Sequence, residues 1–214
     1  MAYDLYVITD PAIARGMPHA GIARRAVEGG ADVVQLRDKI LPDRDLLAVA
    51  CEIREITWEA GVLFFVNDRI DIALASEADG VHIGQDDLPV RDARSISPEG
   101  FIIGVSVGSV NEAVAAESAG ADYLSLSPIF PTTSKDDAGP GHGIAELLAI
   151  CASVTLPVIA IGGITPWNAP EVIAAGAEGV AVISAVIAQE DITAAARHMK
   201  AIIKDSKEKV SKVR

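Results

Sequence analysis

The residues of this chain best suited to chemistry stand in Val33-Val34-Gln35-Leu36-Arg37-Asp38-Lys39. Side chains alternate along an extended strand, so Gln35, Arg37 and Lys39 share one face while Val34, Leu36 and Asp38 take the other. Two cations and an amide on one face carry a desolvation cost that packing does not repay, and an anionic ligand accounts for them. A solvated edge strand is the plainer alternative. Against it, the run follows the helix stop Glu28-Gly29-Gly30-Ala31-Asp32 and precedes Asp43, a start for the next helix. A strand between two helices is usually a covered, parallel one. Further along, Asn67 and Asp68, Asp86 and Asp87, and Ser106 each stand at the end of an apolar run. Asp68 and Asp87 suit one Mg2+, which takes one or two carboxylates and completes its shell with waters and substrate phosphate oxygens. Singly, each Asp would read as a helix cap. Two at one rim, opposite a basic strand, point to the metal.

A second anion site is written near the C-terminal end. Ile161-Gly162-Gly163-Ile164 and Ile183-Ser184-Ala185 each follow a short apolar run. Glycines admit backbone N–H groups to an oxyanion, and a short helix opening near Ser184 would aim its positive end at a phosphate. Glycines after strands are often only turns. Between the two sites lies the longest loop, Pro128 to His142, with Thr132, Thr133, Ser134 and Lys135. Loops of this length are usually functional or disordered. One basic site with a metal and one backbone site imply two phosphorylated small-molecule substrates. The diphosphate would leave, its developing charge stabilised by the cations. His82, inside an apolar strand, reads as a satisfied core histidine; His142 has no assignment.

These groups need a frame that collects them. Leu5 to Thr9, Val33 to Arg37, Val62 to Val66, Gly80 to Ile83, Phe101 to Ser106, Tyr123 to Ser127, Val158 to Ile161 and Gly179 to Ile183 read as strands. Helical patterns intervene at His19 to Gly29, Asp43 to Ala60, Arg69 to Ala75, Val110 to Ala119, Ile144 to Ala152 and Trp167 to Ala175, with another short helix before Phe101. Ile192 to Lys204 closes the chain as a helix. A weak repeat marks the helix-to-strand joints: Gly29-Gly30-Ala31-Asp32, Glu77-Ala78-Asp79-Gly80, Ala119-Gly120-Ala121-Asp122 and Ala175-Gly176-Ala177-Glu178. Its glycines would supply left-handed helix caps. Repeated strand-helix units with short returns predict a (β/α)8 TIM barrel, with the active site at the C-terminal strand ends. An open doubly wound sheet fits less well, because no GxGxxG follows the first strand.

At 214 residues, 50% of them apolar, the chain fits a single barrel domain over 1–214. The basic tail from about Lys200 reads as the frayed, solvated end of the last helix. A formal net charge of -12 argues against nucleic acid or an anionic membrane as a general partner. The longest apolar runs fall far short of the roughly 20 residues that span a bilayer. No secretion signal is visible at the N-terminus, which predicts a cytoplasmic protein. Cys51 and Cys151 lie far apart, without metal-ligand spacing, and read as reduced core residues. The barrel exterior leaves room for a homo-oligomer.

Six motifs together resemble the thiamine-phosphate synthase family over almost the whole chain. They are Gln35-Leu36-Arg37-Asp38-Lys39, Val66-Asn67-Asp68, Val81-His82-Ile83-Gly84-Gln85-Asp86-Asp87, Pro128-Ile129-Phe130-Pro131-Thr132-Thr133-Ser134-Lys135, Ala160-Ile161-Gly162-Gly163-Ile164 and Val182-Ile183-Ser184-Ala185. The resemblance implies condensation of hydroxymethylpyrimidine diphosphate with a thiazole phosphate, giving thiamine phosphate and pyrophosphate through a pyrimidine-stabilised carbocation. Carried over by motif, Gln35, Arg37, Lys39, Asn67, Ser106 and Lys135 would hold the pyrimidine diphosphate, and Asp68 and Asp87 its Mg2+. Arg37, Lys39, Ser106 and Lys135 would be the catalytic members of that set. Thr132, Ser134, Gly163, Ile183 and Ser184 would hold the thiazole phosphate. Two departures stand out: Ser134 replaces the family's usual Thr, keeping the hydroxyl, and Gly108 stands where the family often has His or Thr. The related thiazole tautomerases use a His in that region and tend to lose the diphosphate residues. The pattern here is the reverse. A barrel that binds thiazole phosphate or thiamine phosphate without turnover would need none of Asp68, Asp87, Lys39 and Lys135.

Overall fold

The computed structural model describes residues 3–132 and 141–213. In chain order they form β1 (Leu5–Thr9), α1 (His19–Glu28), β2 (Val33–Leu36), α2 (Asp43–Ala60), β3 (Leu63–Asn67), α3 (Ile70–Ala75), β4 (Gly80–Ile83), α4 (Val90–Ile96) and β5 (Ile102–Val107). There follow α5 (Val110–Ala119), β6 (Tyr123–Leu126), α6 (Gly143–Ser153), β7 (Val158–Ile161), α7 (Ala169–Ala174), β8 (Gly179–Val182), α8 (Ser184–Ile187) and α9 (Ile192–Val213). The strands pair in parallel in sequence order and close with β8 against β1, the (β/α)8 barrel expected from the sequence. Both faces of each strand are covered, which is why the strands are near-continuous runs of Val, Ile and Leu rather than alternating ones.

Large and small residues matched across neighbouring strands fill the barrel. Phe65 of β3 pairs with Gly80 of β4, and Tyr123 of β6 with Gly104 of β5. A Cβ on Gly80 would sit 2.7 Å from the Phe65 ring, and one on Gly104 would overlap the Tyr123 ring, so these glycines make room for their neighbours. Tyr3, Tyr6, Phe65 and Tyr123 form one tilted aromatic cluster with centroids 5.5 to 6.2 Å apart.

The repeat at the helix-to-strand joints has a job at the bottom of the barrel. Asp32, Asp79 and Asp122 each accept a backbone N–H from the first or second residue of the preceding strand, from Leu5, Phe64 and Ile103 at 2.9, 2.7 and 2.7 Å. Each also pairs with a cation, Lys200, Arg54 and Arg94 respectively. The expected left-handed glycines occur at Gly30, Gly120 and Gly176. The second copy departs from the pattern: Glu77 adopts the left-handed conformation with φ 54°, and Gly80 already belongs to β4.

Two sequence expectations are corrected here. The tail from Lys200 is not a frayed end, because α9 continues to Val213. Lys200 bonds Asp4 at 2.8 Å as well as Asp32, and Lys207 bonds Asp4 at 2.6 Å and Glu178 at 2.8 Å. Ile203 and Ser206 are buried. Cys51 is exposed rather than in the core. The inward stripe of α2 runs through Leu46, Ala50, Ile53, Ile56 and Thr57, and position 51 falls one residue off it. Cys151 is half-buried, and both thiols are free.

Candidate active site

At the C-terminal ends of the strands lies a cavity of about 620 Å3. Arg37, Lys39, Asn67, Asp68, Asp87, Ser106, Thr132, Gly163, Ile183 and Ser184, all expected from the sequence, line it, and Asp86 does so as well. Ser134 and Lys135, with Thr133, lie outside the described residues. β2 ends at Leu36, so Arg37 and Lys39 come from the loop beyond it rather than from the strand itself. Gln35, also expected there, is not among the residues lining this cavity. It is buried one layer below the cavity, on the wall of a small internal void, and its Nε2 donates to the Tyr6 hydroxyl at 2.6 Å.

Asp68 and Asp87 meet on one side of the rim. Asp68 follows β3 in the left-handed backbone conformation, φ 62°, with its N–H on the His82 carbonyl at 2.8 Å. Asp tolerates that conformation better than most residues, and strain of this kind concentrates at functional sites. Asp87 turns back to accept the Gly84 N–H at 2.7 Å. Burial, the Asp87 charge and a hydrogen bond to Asp87 push the Asp68 carboxyl up to about 6, while Lys39 and Arg37 pull it down. Two carboxylates held together against their own repulsion suit a cation. Two are also the number that leaves Mg2+ free to take substrate phosphate oxygens. Among the described residues no group of three or more His, Cys, Asp or Glu gathers as a larger metal site.

The floor of the cavity is a hydrogen-bonded chain. From Gln35 it runs through the Tyr6 and Tyr123 hydroxyls, 3.1 Å apart, to His82 Nδ1 at 2.9 Å, and from His82 Nε2 to Ser106 Oγ at 2.9 Å. Burial pushes both tyrosine hydroxyls far above their ordinary pKa, so they act here as neutral hydrogen-bonding groups. Gln85 Nε2 donates to the Ser106 carbonyl at 2.6 Å, so Ser106 is held at both its side chain and its backbone. His82 is thus a satisfied core histidine, as expected, but it also lines the cavity and orients Ser106. The sequence reading missed this role, and also that of Gln85. For His82 a signal was present: in β4 it alternates with Val81 and Ile83, which puts it on the inward face.

On the opposite side, the loops after β6 and β7 continue the ladder beyond the barrel, Ile129 N–H to the Ile161 carbonyl at 2.8 Å and Phe130 N–H to the Gly162 carbonyl at 3.1 Å. Gly162 and Gly163 have φ of 97° and 64°. A Cβ on Gly162 would lie 2.7 Å from Pro128 Cα, and one on Gly163 2.7 Å from Phe130 Cβ. The glycines therefore serve loop-to-loop contact. Asn168 pins this turn, accepting the Thr165 N–H at 2.7 Å and donating to the Gly163 carbonyl at 3.0 Å, which delays α7 past the expected start at Trp167.

A sequence model of the thiamine monophosphate synthase family matches residues 5–186. The chain is 63% identical over 200 residues to the thiamine-phosphate synthase of Methanoculleus marisnigri, covering 94% of this chain and 95% of that one. It is 59% identical over 203 residues to the thiamine-phosphate synthase of Methanocella arvoryzae, covering 95% and 96%. Among solved structures, the thiamine phosphate pyrophosphorylase from Pyrococcus furiosus aligns with a TM-score of 0.89 at 44% identity, over 95% of this chain and 96% of that one.

Proposed function

The chain belongs to the thiamine monophosphate synthase family, and on that premise we propose the route by which it forms thiamine phosphate. Arg37 and Lys39, with Asn67, Ser106 and Lys135, hold hydroxymethylpyrimidine diphosphate, and Asp68 and Asp87 hold Mg2+. Bound there, the metal would neutralise charge developing on the diphosphate. Gly163, Ile183 and Ser184, with Thr132 and Ser134, hold the thiazole phosphate by backbone N–H groups and hydroxyls. Gln35 acts from below, ordering the floor through Tyr6.

The bond from the pyrimidine methylene to the diphosphate oxygen breaks first, and its electron pair leaves with the diphosphate. Arg37 and Lys39 stabilise that charge as it develops. The ring-stabilised cation left behind is captured by the lone pair of the thiazole nitrogen, with no proton to be removed. His82 is therefore not asked to be a base. It holds Ser106, and through it the position of the diphosphate substrate. Both substrates are anions that a bilayer retains, so we place the reaction in the cytoplasm. No helix among the described residues is long and apolar enough to cross a membrane.

The observation that carries this reading is the gathering of Arg37 and Lys39 with the Asp68 and Asp87 pair in one cavity, close enough for both cations to act on the Asp68 charge. The test is pyrophosphate release from the purified protein with both substrates and Mg2+, beside Asp87→Ala. Release that needs all three components and collapses in the variant is expected. Undiminished release from Asp87→Ala would remove the metal assignment. Release unaffected by omitting the thiazole phosphate would remove the coupling of the two substrates.

A further inference from the structure

The loop that delivers Arg37 and Lys39 carries a carboxylate between them that does not line the cavity. Asp38 Oδ2 meets Nε2 of His19, the first residue of α1, at 3.1 Å. His19 Nδ1 lies 2.7 Å from the Thr9 hydroxyl at the end of β1. The other Asp38 oxygen accepts the N–H groups of Ile40 and Leu41 at 2.7 and 2.8 Å. One carboxylate thus closes the turn after β2 and, through one imidazole, ties it to β1 and α1.

The bonding in this cluster is directional. A carboxylate only accepts, so Nε2 carries the proton, while the Thr9 hydroxyl can donate to or accept from Nδ1. The ring makes both bonds in either charge state. His19 is 4% exposed and Thr9 is fully buried, so this chain is shielded from water and its partners cannot be exchanged cheaply for solvent. Apolar residues could hold a loop at less desolvation cost. A polar chain adds a fixed direction: Asp38 is held by three partners, and its two neighbours, unlike Asp38, line the cavity. Arg37 has a second tie, with Nη1 3.9 Å from Asp10 Oδ2.

We propose that His19 is a positioning residue for the diphosphate grip, acting through Asp38 to hold Arg37 and Lys39 aimed into the cavity before substrate arrives. The proposal rests on the reading of Arg37 and Lys39 as that grip. His19 itself does not line the cavity, so any effect of replacing it on diphosphate binding must pass through the loop.

His19→Phe keeps a ring and loses both hydrogen bonds, whereas His19→Gln offers an amide N–H to Asp38 and a carbonyl to Thr9. Two quantities are measured below the melting temperature of each variant: calorimetric affinity for inorganic pyrophosphate with Mg2+, and KM for each substrate. For His19→Phe, pyrophosphate affinity and the KM for the pyrimidine diphosphate should worsen about tenfold, the scale for loss of an orienting partner, while the KM for the thiazole phosphate stays within about twofold. His19→Gln should recover most of the loss. Thr9→Val, of the same shape, should reproduce the selectivity at about threefold should the phenyl ring prevent folding. Unchanged pyrophosphate affinity in both His19→Phe and Thr9→Val, or equal losses for both substrates, would overturn the proposal. Arg37→Ala, run in parallel, separates the two readings: if it also binds pyrophosphate as the parent does, the grip itself is misassigned.

Discussion

Asp87→Asn replaces one carboxylate of the rim pair with an amide of the same shape that can still accept the Gly84 N–H. Its partner reports the change. Burial first, then the charge and hydrogen bond of Asp87, hold the Asp68 carboxyl at about 6 rather than 3.8. In the folded chain Asp68 therefore keeps its proton to a pH at which the unfolded chain has lost it. The stability this contributes is whole below the unfolded value and is lost as pH rises through about 6. The full shift corresponds to at most ~3 kcal/mol, and because Asp68 is partly open to water, screening brings it to ~1 to 2 kcal/mol. Burial is the largest cause and survives the substitution, so removing the Asp87 charge should return ~0.5 to 1 kcal/mol. Urea unfolding without divalent cations, followed across this pH range, should show the parent losing more stability than Asp87→Asn on going from about pH 4 to about pH 7.5. Carbon-detected NMR should show the Asp68 carboxyl titrating lower in the variant. Parallel stability curves for the two proteins, or an Asp68 titration unmoved by the substitution, would refute the reasoning. Added Mg2+ at neutral pH should then raise the melting temperature of the parent and leave the variant nearly unchanged, since a ligand stabilises only the fold that binds it.

Tyr123→Phe removes the hydroxyl that joins Tyr6 to His82, leaves buried partners unsatisfied, and should cost ~2 to 3 kcal/mol in urea unfolding. Its kcat/KM for the pyrimidine diphosphate should fall with it, because His82, which orients Ser106, loses its own anchor. Gly104→Ala places a methyl inside the Tyr123 ring and should destabilise by ~3 kcal/mol or more, read as a lowered urea midpoint. Lys207→Ala should destabilise by ~1 kcal/mol, less at high salt. Burial raises the Asp4 carboxyl, but hydrogen bonds from Lys200 and Lys207 more than reverse this and leave it lowered. The stability held there is therefore present above the ordinary Asp value and lost on acidification, and the deficit of Lys207→Ala should vanish in acid.

The rim of the barrel was legible in the sequence because, in a parallel barrel, place along the chain becomes place in space. Asp68, Ser106 and Ser184 stand at or just past short apolar runs, and that alone puts them at the C-terminal strand ends. Depth is what alternation does not encode. Residues two apart on a strand share a face but differ by roughly 6.6 Å in height, enough to place Gln35 under the floor while Arg37 reaches the cavity. The same ambiguity, run upward, made His82 look like plain core when its ring reaches Ser106 from one step below the rim.

Long-range pairing was hidden for a different reason. The lysines of α9 look solvated in a local window because their partners, Asp4, Asp32 and Glu178, belong to the bottoms of β1, β2 and β8. Asp32 was in view as part of the repeat, but only as a helix-stop signal. Closure of the barrel brings β8 back to β1, and α9 packs where the ring is sealed, against α1, α7 and α8. A cation on the last helix then meets carboxylates from both ends of the chain. The joint most in need of fastening is the one between the first strand and the last, and it cannot be seen from any stretch of sequence shorter than the whole. The His19 latch follows the same logic at the other end of the barrel, where Thr9, His19 and Asp38 mean little separately and become one device only when β1 lies beside β2.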